Sequence, residues 1–455
     1  MRRILGHYIA TSWVVFGLLE TVLIAVVCGG AFWLVSTDSG FPDAPAMAFA
    51  IMLSLVIVGV MHSGGLYQGD AVLNLNRTLW RVAAITIPVF LLAVWTTGEL
   101  AQHTNIPIYP YRWHWTGALT ATWLLSAVLL RVGLREVYRS GWLTRKIVVV
   151  GPANQVAELS GLARESSERF RIVAQFDPRT ERGAFLIHDL QAQAVLSEAS
   201  EVVIAINGEP YPWEALIKCR LSGIPVTDYL DFYEREAKRI RVDSLRVDWF
   251  ALSRGFDSTT TGEIWRCFAG VLFASIGLIA AAPVLILTAL AIKLEDGGHV
   301  LFRQERVGLG GQNFILYKFR SMRQDAESDG KPAWATERDS RVTKVGRVIR
   351  TLRIDELPQF WNVLRGDMSV VGPRPERPYF VHQFSQSIPF YDCRHAVRPG
   401  ITGWAQVSFR YGASFEDTRR KLSYDLYYVK NRGFLLDLII LLKTIGVCLR
   451  GEGAR

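Results

Sequence analysis

The chain has 455 residues, half of them hydrophobic and 20% charged, with a formal net charge of +9. That length points to about three domains, and the five cysteines, scattered without a C-x-x-C pair, argue against a disulfide framework or a zinc site. The basic residues flank apolar segments instead of forming a patch interleaved with exposed aromatics, which excludes nucleic acid as a partner and favours anionic lipid.

Four apolar runs come first, about Trp13 to Val35, Ala46 to Leu66, Val82 to Gly98 and Trp115 to Leu130. Each is near the length that crosses roughly 30 Å of hydrocarbon as a helix. The third is short and carries Pro88. Arg2 and Arg3 precede the first run, Arg77 and Arg81 separate the second from the third, and Arg131, Arg135, Arg139, Arg145 and Lys146 follow the fourth. The first loop, TDSGFPDA, has no cation and the third only Arg112, so both ends of the set are expected at the cytoplasmic face. The first run is too long for a removed signal peptide and lacks the cleavage flank. Glu20 lies inside it, either as a functional intramembrane carboxylate or in a helix contact.

From about Thr144 to Val226 the pattern turns to soluble α/β. IVVVG, RIVAQFD (Arg171 to Asp177), EVVIAI (Glu201 to Ile206) and GIPVTD (Gly223 to Asp228) read as parallel strands alternating with helices. Gly151 opens a turn that lacks the second and third glycines of G-x-G-x-x-G, so a structural or dimer-forming role is favoured over nucleotide binding.

Cys267 to Ile292 contains no charged residue and is long enough to span as a straight helix. Pro283 removes a backbone hydrogen bond and clashes with the carbonyl of Ile279, which predicts a kink. Arg254 and Arg266 precede this run and Lys293, Arg303 and Arg306 follow it, so no charge asymmetry drives a crossing. Gly308, Gly310 and Gly311 mark a hairpin turn, and Tyr317-Lys318-Phe319-Arg320 alternates as an edge strand does. Lys318 and Arg320 either reach phosphate or are solvated.

The stretch RTLRIDELPQFWNVLRGDMSVVGPRP, Arg350 to Pro375, carries the chemistry. Asp355 reads as a helix N-cap, Pro358 as a first-turn residue, and Gly366 as the stop. Acidic residues there commonly do no more than cap. However, Arg350, Arg353 and Arg374 are more cations than a cap needs, and arginine suits bidentate phosphate contact. Pro373 and Pro375 stiffen the backbone on either side of Arg374. One carboxylate able to attack phosphorus beside another able to hold a metal points to phosphoryl transfer. The last apolar run, Phe434 to Leu449 with Asp437 and Lys443, suits a helix lying in the membrane interface. Trp361, Trp404 and Tyr427 suit either headgroup level or the core.

Four segments carry a family resemblance: FRQERVGLGGQNFILYKFRSM (Phe302 to Met322), RIDELPQFWNVLRGDMSVVGPRPE (Arg353 to Glu376), VRPGITGWAQV (Val397 to Val407) and YDLYYVKN (Tyr424 to Asn431). Residues 266–450 resemble the monotopic phosphoglycosyl transferases, also called bacterial sugar transferases. The whole chain resembles their large members, polyprenyl-phosphate hexose-1-phosphate transferases that start exopolysaccharide or O-antigen assembly. FYEREAKRIRVDSLRVDWFALSRGF (Phe232 to Phe256) looks like members linked to exosortase-type exopolysaccharide loci.

The resemblance implies a membrane α/β protein. A four-helix transmembrane bundle would occupy 1–140, a Rossmann-like cytosolic domain and linker 141–255, and a monotopic α+β catalytic domain 256–455. The last would carry a re-entrant membrane helix broken at Pro283. The implied location is the bacterial inner (cytoplasmic) membrane, multi-pass, with the catalytic domain on the cytoplasmic face. A homodimer through the middle domain is expected.

Carried onto matching positions, Asp355 would attack the β-phosphorus of a UDP-sugar and expel UMP, and Glu356 would hold Mg2+. Arg350 and Arg374 correspond to phosphate-binding arginines, and Asp425 to the Asp of an E-x-D-x-Y-Y segment that supports metal or nucleotide binding. Undecaprenyl phosphate, moving within the membrane lipid, would then accept the sugar phosphate. Two departures bear on finer substrate contacts: Arg353 stands where many relatives carry a small hydroxyl residue, and Ser423 replaces the Glu of that last segment. A membrane-bound NAD-dependent dehydratase needs a Tyr-x-x-x-Lys pair, and no Tyr here is followed by Lys four positions later. A catalytically inactive assembly scaffold would not require the intact Asp355, Glu356 and Arg374.

Overall fold

The computed structural model describes residues 2–4, 7–9, 15–26, 54–61, 66, 75–103, 112–141, 144–165, 169–181, 183, 187, 189–206, 211–245, 247–253, 255–256, 260–323, 339, 341–409 and 414–449. The chain divides into two compact units, the first carrying residues 8–237 and the second 238–455.

In the first unit, helices α1 (Val15–Val26), α2 (54–61), α3 (Leu75–His103) and α4 (Arg112–Arg139) share one apolar cluster. Ile24, Ile57, Met61, Val82, Ile85, Val89, Trp123 and Ala127 meet there. Val82, Ile85 and Val89 recur at the spacing that puts side chains on one helical face. The opposite face of α3 is apolar too, with Trp80, Ile87, Leu91 and Trp95 exposed, as are Leu18 and Val22 of α1 and Leu125 and Leu129 of α4. Helices apolar on both faces suit a lipid surround better than water.

Glu20 is not alone in this region. Arg131 Nη1 donates to its Oε1 at 2.6 Å and to the Ala127 carbonyl at 3.0 Å, and the guanidinium lies over the Phe16 ring. Both charged side chains are buried, so the pair ties α1 to α4. Such a pair specifies which helices meet more than it adds net stability.

The rest of this unit is a four-stranded parallel sheet in the order β2-β1-β3-β4, from β1 (Arg145–Val150), β2 (Phe170–Phe176), β3 (Glu201–Ile204) and β4 (Val226–Asp228). Helices α5 (Ala153–Glu165), α6 (Leu190–Leu196), α7 (Trp213–Leu221) and α8 (Tyr229–Ala237) connect or follow the strands. Val148, Val150, Val202 and Ile204 form the core with Leu190, Ala194 and Leu216. Gly151, just past β1, packs on Ala205, just past β3, and a Cβ there would lie 2.5 Å from the Ala205 carbonyl oxygen. That close approach leaves no room for a side chain at residue 151.

The second unit begins before its long helix. Trp404 Nε1 donates to the Lys238 carbonyl, Ile240 N donates to Ser423 O, and Lys430 Nζ sits 3.9 Å over the Trp249 ring of α9 (Val247–Leu252). The segment expected as a linker therefore packs as part of this unit.

Helix α10 (Thr260–Asp296) follows, continuous through Pro283, and its most apolar 18-residue window has a mean hydropathy of 2.4 and is 11% buried. Among the described residues it is the one helix long and apolar enough to cross a membrane. Near its start Arg266 pairs with Asp437 at 2.9 Å and with Tyr428. Phe360 packs against Phe273 and over Gly277. Near its end Ile292 packs with Phe319 and Ile349, while Glu295 accepts from the backbone N–H groups of Lys344 and Val345. Both halves of α10 thus bind the same unit.

Strands β5 (Leu301–Val307) and β6 (Asn313–Phe319) pair antiparallel around the glycine turn, where Gly310 and Gly311 take positive φ. Beyond them come α11 (Lys344–Thr351), a 3-10 turn (Ile354–Glu356), α12 (Gln359–Leu364), β7 (Ser369–Val371) and α13 (Pro378–Ser387). A second 3-10 segment (Tyr391–Ala396) precedes β8 (Gly400–Thr402), which pairs parallel with β7, and α14 (Trp404–Ser408). Helix α15 (Phe415–Asn431) opens with a Ser414/Asp417 capping box and buries Leu422, Tyr424, Leu426, Tyr427 and Tyr428. Helix α16 (Phe434–Leu449) closes the unit. Trp404 and Tyr427 are core residues, whereas Trp361 is half exposed.

Candidate active site

Asp355 does not cap a helix as its sequence setting suggests. It lies in the 3-10 turn between α11 and α12, and Pro358 takes the N-cap position of α12 without a side-chain bond. The turn is forced by Arg353, a non-glycine residue in the left-handed region at φ 54°, a conformation that costs roughly 1–2 kcal/mol. It ends α11 sharply and sets the two carboxylates between the helices. Gly366 at φ 82° ends α12 in the left-handed manner its position predicted.

Three separate elements bring cations to this turn: Lys318 from β6, Arg350 from the last turn of α11, and Arg374 from the loop after β7. Arg374 Nη2 donates to Glu356 Oε1 at 2.8 Å, and Arg353 Nη1 lies 3.5 Å from Glu356 Oε2. Among the described residues, no hydrogen bond is donated to the Asp355 carboxylate.

The two acids consequently titrate apart. Burial, then the Glu356 charge, push the Asp355 pKa up to about 6 against the pull of Lys318, Arg374 and Arg350. Burial acts on Glu356 as well, but Arg374 and Arg353 outweigh it and hold the carboxyl below its ordinary value. Burial, with Arg306 nearby, lowers Lys318 to about 8 although Asp355 and Glu356 oppose it. At neutral pH the turn therefore offers one bare carboxylate, one arginine-bound carboxylate and an excess of positive charge, which suits a diphosphate.

Two other residues singled out in the sequence are committed elsewhere. Strand β6 ends at Phe319, so Arg320 leaves the strand alternation and pairs with Asp296 at the end of α10. Asp425 lies on the buried face of α15, 2.8 Å from Arg394, with both side chains 2% exposed. Sequence reasoning passed over Arg394, Glu376, Lys421 and Arg306, which surround the Arg374 loop from its inner side. The available signal was the Lys421/Asp425 spacing, four apart on one helix.

The bacterial sugar transferase family profile matches residues 262–451, a span that takes in every side chain of this site. A relative from Xanthomonas campestris, a UDP-glucose:undecaprenyl-phosphate glucose-1-phosphate transferase, is 30% identical over 354 residues, 72% of each chain. The chain belongs to the bacterial sugar transferase family. An Aeromonas hydrophila relative, a UDP-N-acetylgalactosamine-undecaprenyl-phosphate N-acetylgalactosaminephosphotransferase, is 48% identical over 53% of this chain and 57% of its own length. A Komagataeibacter xylinus relative, an undecaprenyl-phosphate glucose phosphotransferase, is 36% identical over 67% of this chain and 59% of its own. The chain thus spans under two thirds of the length of these two relatives. As a bacterial sugar transferase with the exposed apolar helix α10, the protein is membrane-associated.

Proposed function

We propose that the protein transfers a hexose 1-phosphate from a UDP-sugar to undecaprenyl phosphate, releasing UMP, as the first membrane step of exopolysaccharide or O-antigen synthesis. The bare Asp355 carboxylate beside the Arg374-bound Glu356 carries this reading. An Asp355 oxygen attacks the β-phosphorus, an acyl phosphate bond forms, and the bond to the UMP oxygen breaks. Arg374, Arg350 and Lys318 bind the phosphate oxygens and stabilise the leaving group. An oxygen of undecaprenyl phosphate then attacks the same phosphorus, and the Asp355 carboxylate is released.

The residues also fit Mg2+, which needs only one or two carboxylates when substrate phosphates complete its shell. A carboxylate has about four acceptor sites, so Glu356 can keep Arg374 and still ligate. Bound there, Mg2+ would neutralise the diphosphate.

In the membrane, α1 to α4 form a four-helix transmembrane bundle, the parallel sheet is a Rossmann-like cytosolic domain, and α10 is re-entrant. The anchoring of both halves of α10 supports this last point. As a straight helix, Arg266 to Glu295 would extend about 44 Å, more than the roughly 30 Å of hydrocarbon. A crossing would therefore part contacts that one unit holds. The positive-inside pattern supports the inner membrane with the catalytic unit on the cytoplasmic face. The exposed stripe Trp213, Ile217 and Leu221 along α7 supports a homodimer.

UMP release by nanodisc-held protein, given UDP-sugars, undecaprenyl phosphate and Mg2+, tests the reading. Release that requires lipid and metal and vanishes in Asp355→Asn is expected. Folded protein that releases no UMP with any UDP-sugar would sink it.

A further inference from the structure

The inner side of the Arg374 loop holds a set of charges that the proposed reaction leaves unused. Arg394, in the second 3-10 segment, donates Nη2 to the Arg374 carbonyl at 2.8 Å and Nη1 to Tyr391 Oη at 3.0 Å, and it pairs with Asp425. Arg306 donates Nη1 to the Pro375 carbonyl at 3.0 Å, and Val307 N donates to the Glu376 carbonyl at 3.0 Å. Glu376 is paired in turn with Lys421 and lies 3.7 Å from Arg306. Three successive carbonyls, from 374 to 376, are thus held from two sides, the first by Arg394 and the next two by the end of β5.

This loop needs holding from outside. Pro373 and Pro375 have no N–H to donate, so the segment cannot build its own backbone ladder. The carbonyl of Arg374 is therefore fixed by a side chain, and that side chain must itself be fixed. Arg394 is buried, and an unpaired guanidinium there would be costly. Asp425 compensates it, which gives a reason for an inward-facing carboxylate on α15. On its other side, Arg374 reaches Glu356. The chain of contacts Asp425, Arg394, Arg374 main chain, Arg374 guanidinium and Glu356 runs without a gap from the core to the carboxylate pair.

We propose that Arg394, oriented by Asp425 and Tyr391, is a positioning residue that sets the Arg374 guanidinium against both Glu356 and the phosphates of the nucleotide donor. The proposal rests on the phosphoryl-transfer reading. A purely structural Arg394 would support the fold without regard to what residue 374 is, whereas a positioning Arg394 works only through it.

A double-mutant cycle separates the two. Arg394→Lys keeps a cation opposite Asp425 but loses the planar fork that reaches three partners at once. UDP-sugar affinity is measured on the non-turnover Asp355→Asn chain, and kcat/KM on the chain with Asp355 intact, with thermal melting as the fold control. Misplacing a binding group by about 1 Å costs up to about 100-fold, so Arg394→Lys should lower both quantities by about 10–100-fold. In an Arg374→Ala background the further loss should be less than about threefold, because coupled sites are not additive. Tyr391→Phe, which removes only a hydroxyl, should show the same dependence on Arg374 with a smaller factor. Equal losses with and without Arg374, or no loss from either variant, would overturn the proposal. Wild-type protein that releases no UMP while the binding cycle remains coupled would instead overturn the transferase reading.

Discussion

Asp355→Asn should abolish turnover and at the same time stabilise the second unit, by an amount that depends on pH. The carboxyl is shifted from an ordinary 3.8 to about 6, chiefly by burial. At about 1.36 kcal/mol per pH unit, holding it ionised costs the fold at most about 3 kcal/mol. The sign follows from proton binding. Between the two pKa values the folded chain binds more protons than the unfolded one, so stability falls as pH rises through that window. The cost is complete above about pH 6 and fades below it. With Asn standing in for the protonated acid, the gain is about 3 kcal/mol at pH 8 and about 1.6 kcal/mol at pH 5. Thermal melting of wild-type and variant protein in metal-free detergent buffer at the two pH values reads both. A variant less stable than wild type at pH 8, or a gain equal at both values, would refute the assignment of Asp355 as a carboxylate ionised at the expense of the fold.

Three further outcomes follow from other contacts. Arg374→Ala removes the hydrogen bond to Glu356 and a proposed phosphate ligand, so kcat/KM for the UDP-sugar should fall by about 100- to 1,000-fold. Gly151→Ala puts a methyl group 2.5 Å from the Ala205 carbonyl oxygen and should destabilise the first unit by about 1–3 kcal/mol, read by proteolysis of the sheet region. Arg131→Ala breaks the buried ion pair with Glu20 and should cost about 3–5 kcal/mol, seen as a lower yield of membrane-inserted protein. Arg131→Leu combined with Glu20→Leu should recover most of that loss.

The sequence alone settled whatever depends on neighbours along the chain. The apolar segments around Val148 and Val202 announce buried parallel strands, and the Gly310-Gly311 pair announces a hairpin through the positive φ it permits. The uncharged run around Pro283 declares a helix for an apolar setting, and the adjacent Asp355 and Glu356 stand out by chemistry alone. Tertiary structure decided whatever depends on a distant partner. Lys318, Arg350 and Arg374 converge on one turn from three elements, yet Arg320, two residues from Lys318, goes to Asp296. Asp425 matches a site motif and still faces inward, because Arg394 needs a counter-charge in the core. Gly151 has the look of a damaged nucleotide loop but is required by the approach of Ala205, 54 residues further on by number. The physical reason is common to all three. Periodicity and propensity record whether a side chain is buried and what backbone it tolerates, whereas the identity of the opposite charge or atom is set by how the elements pack.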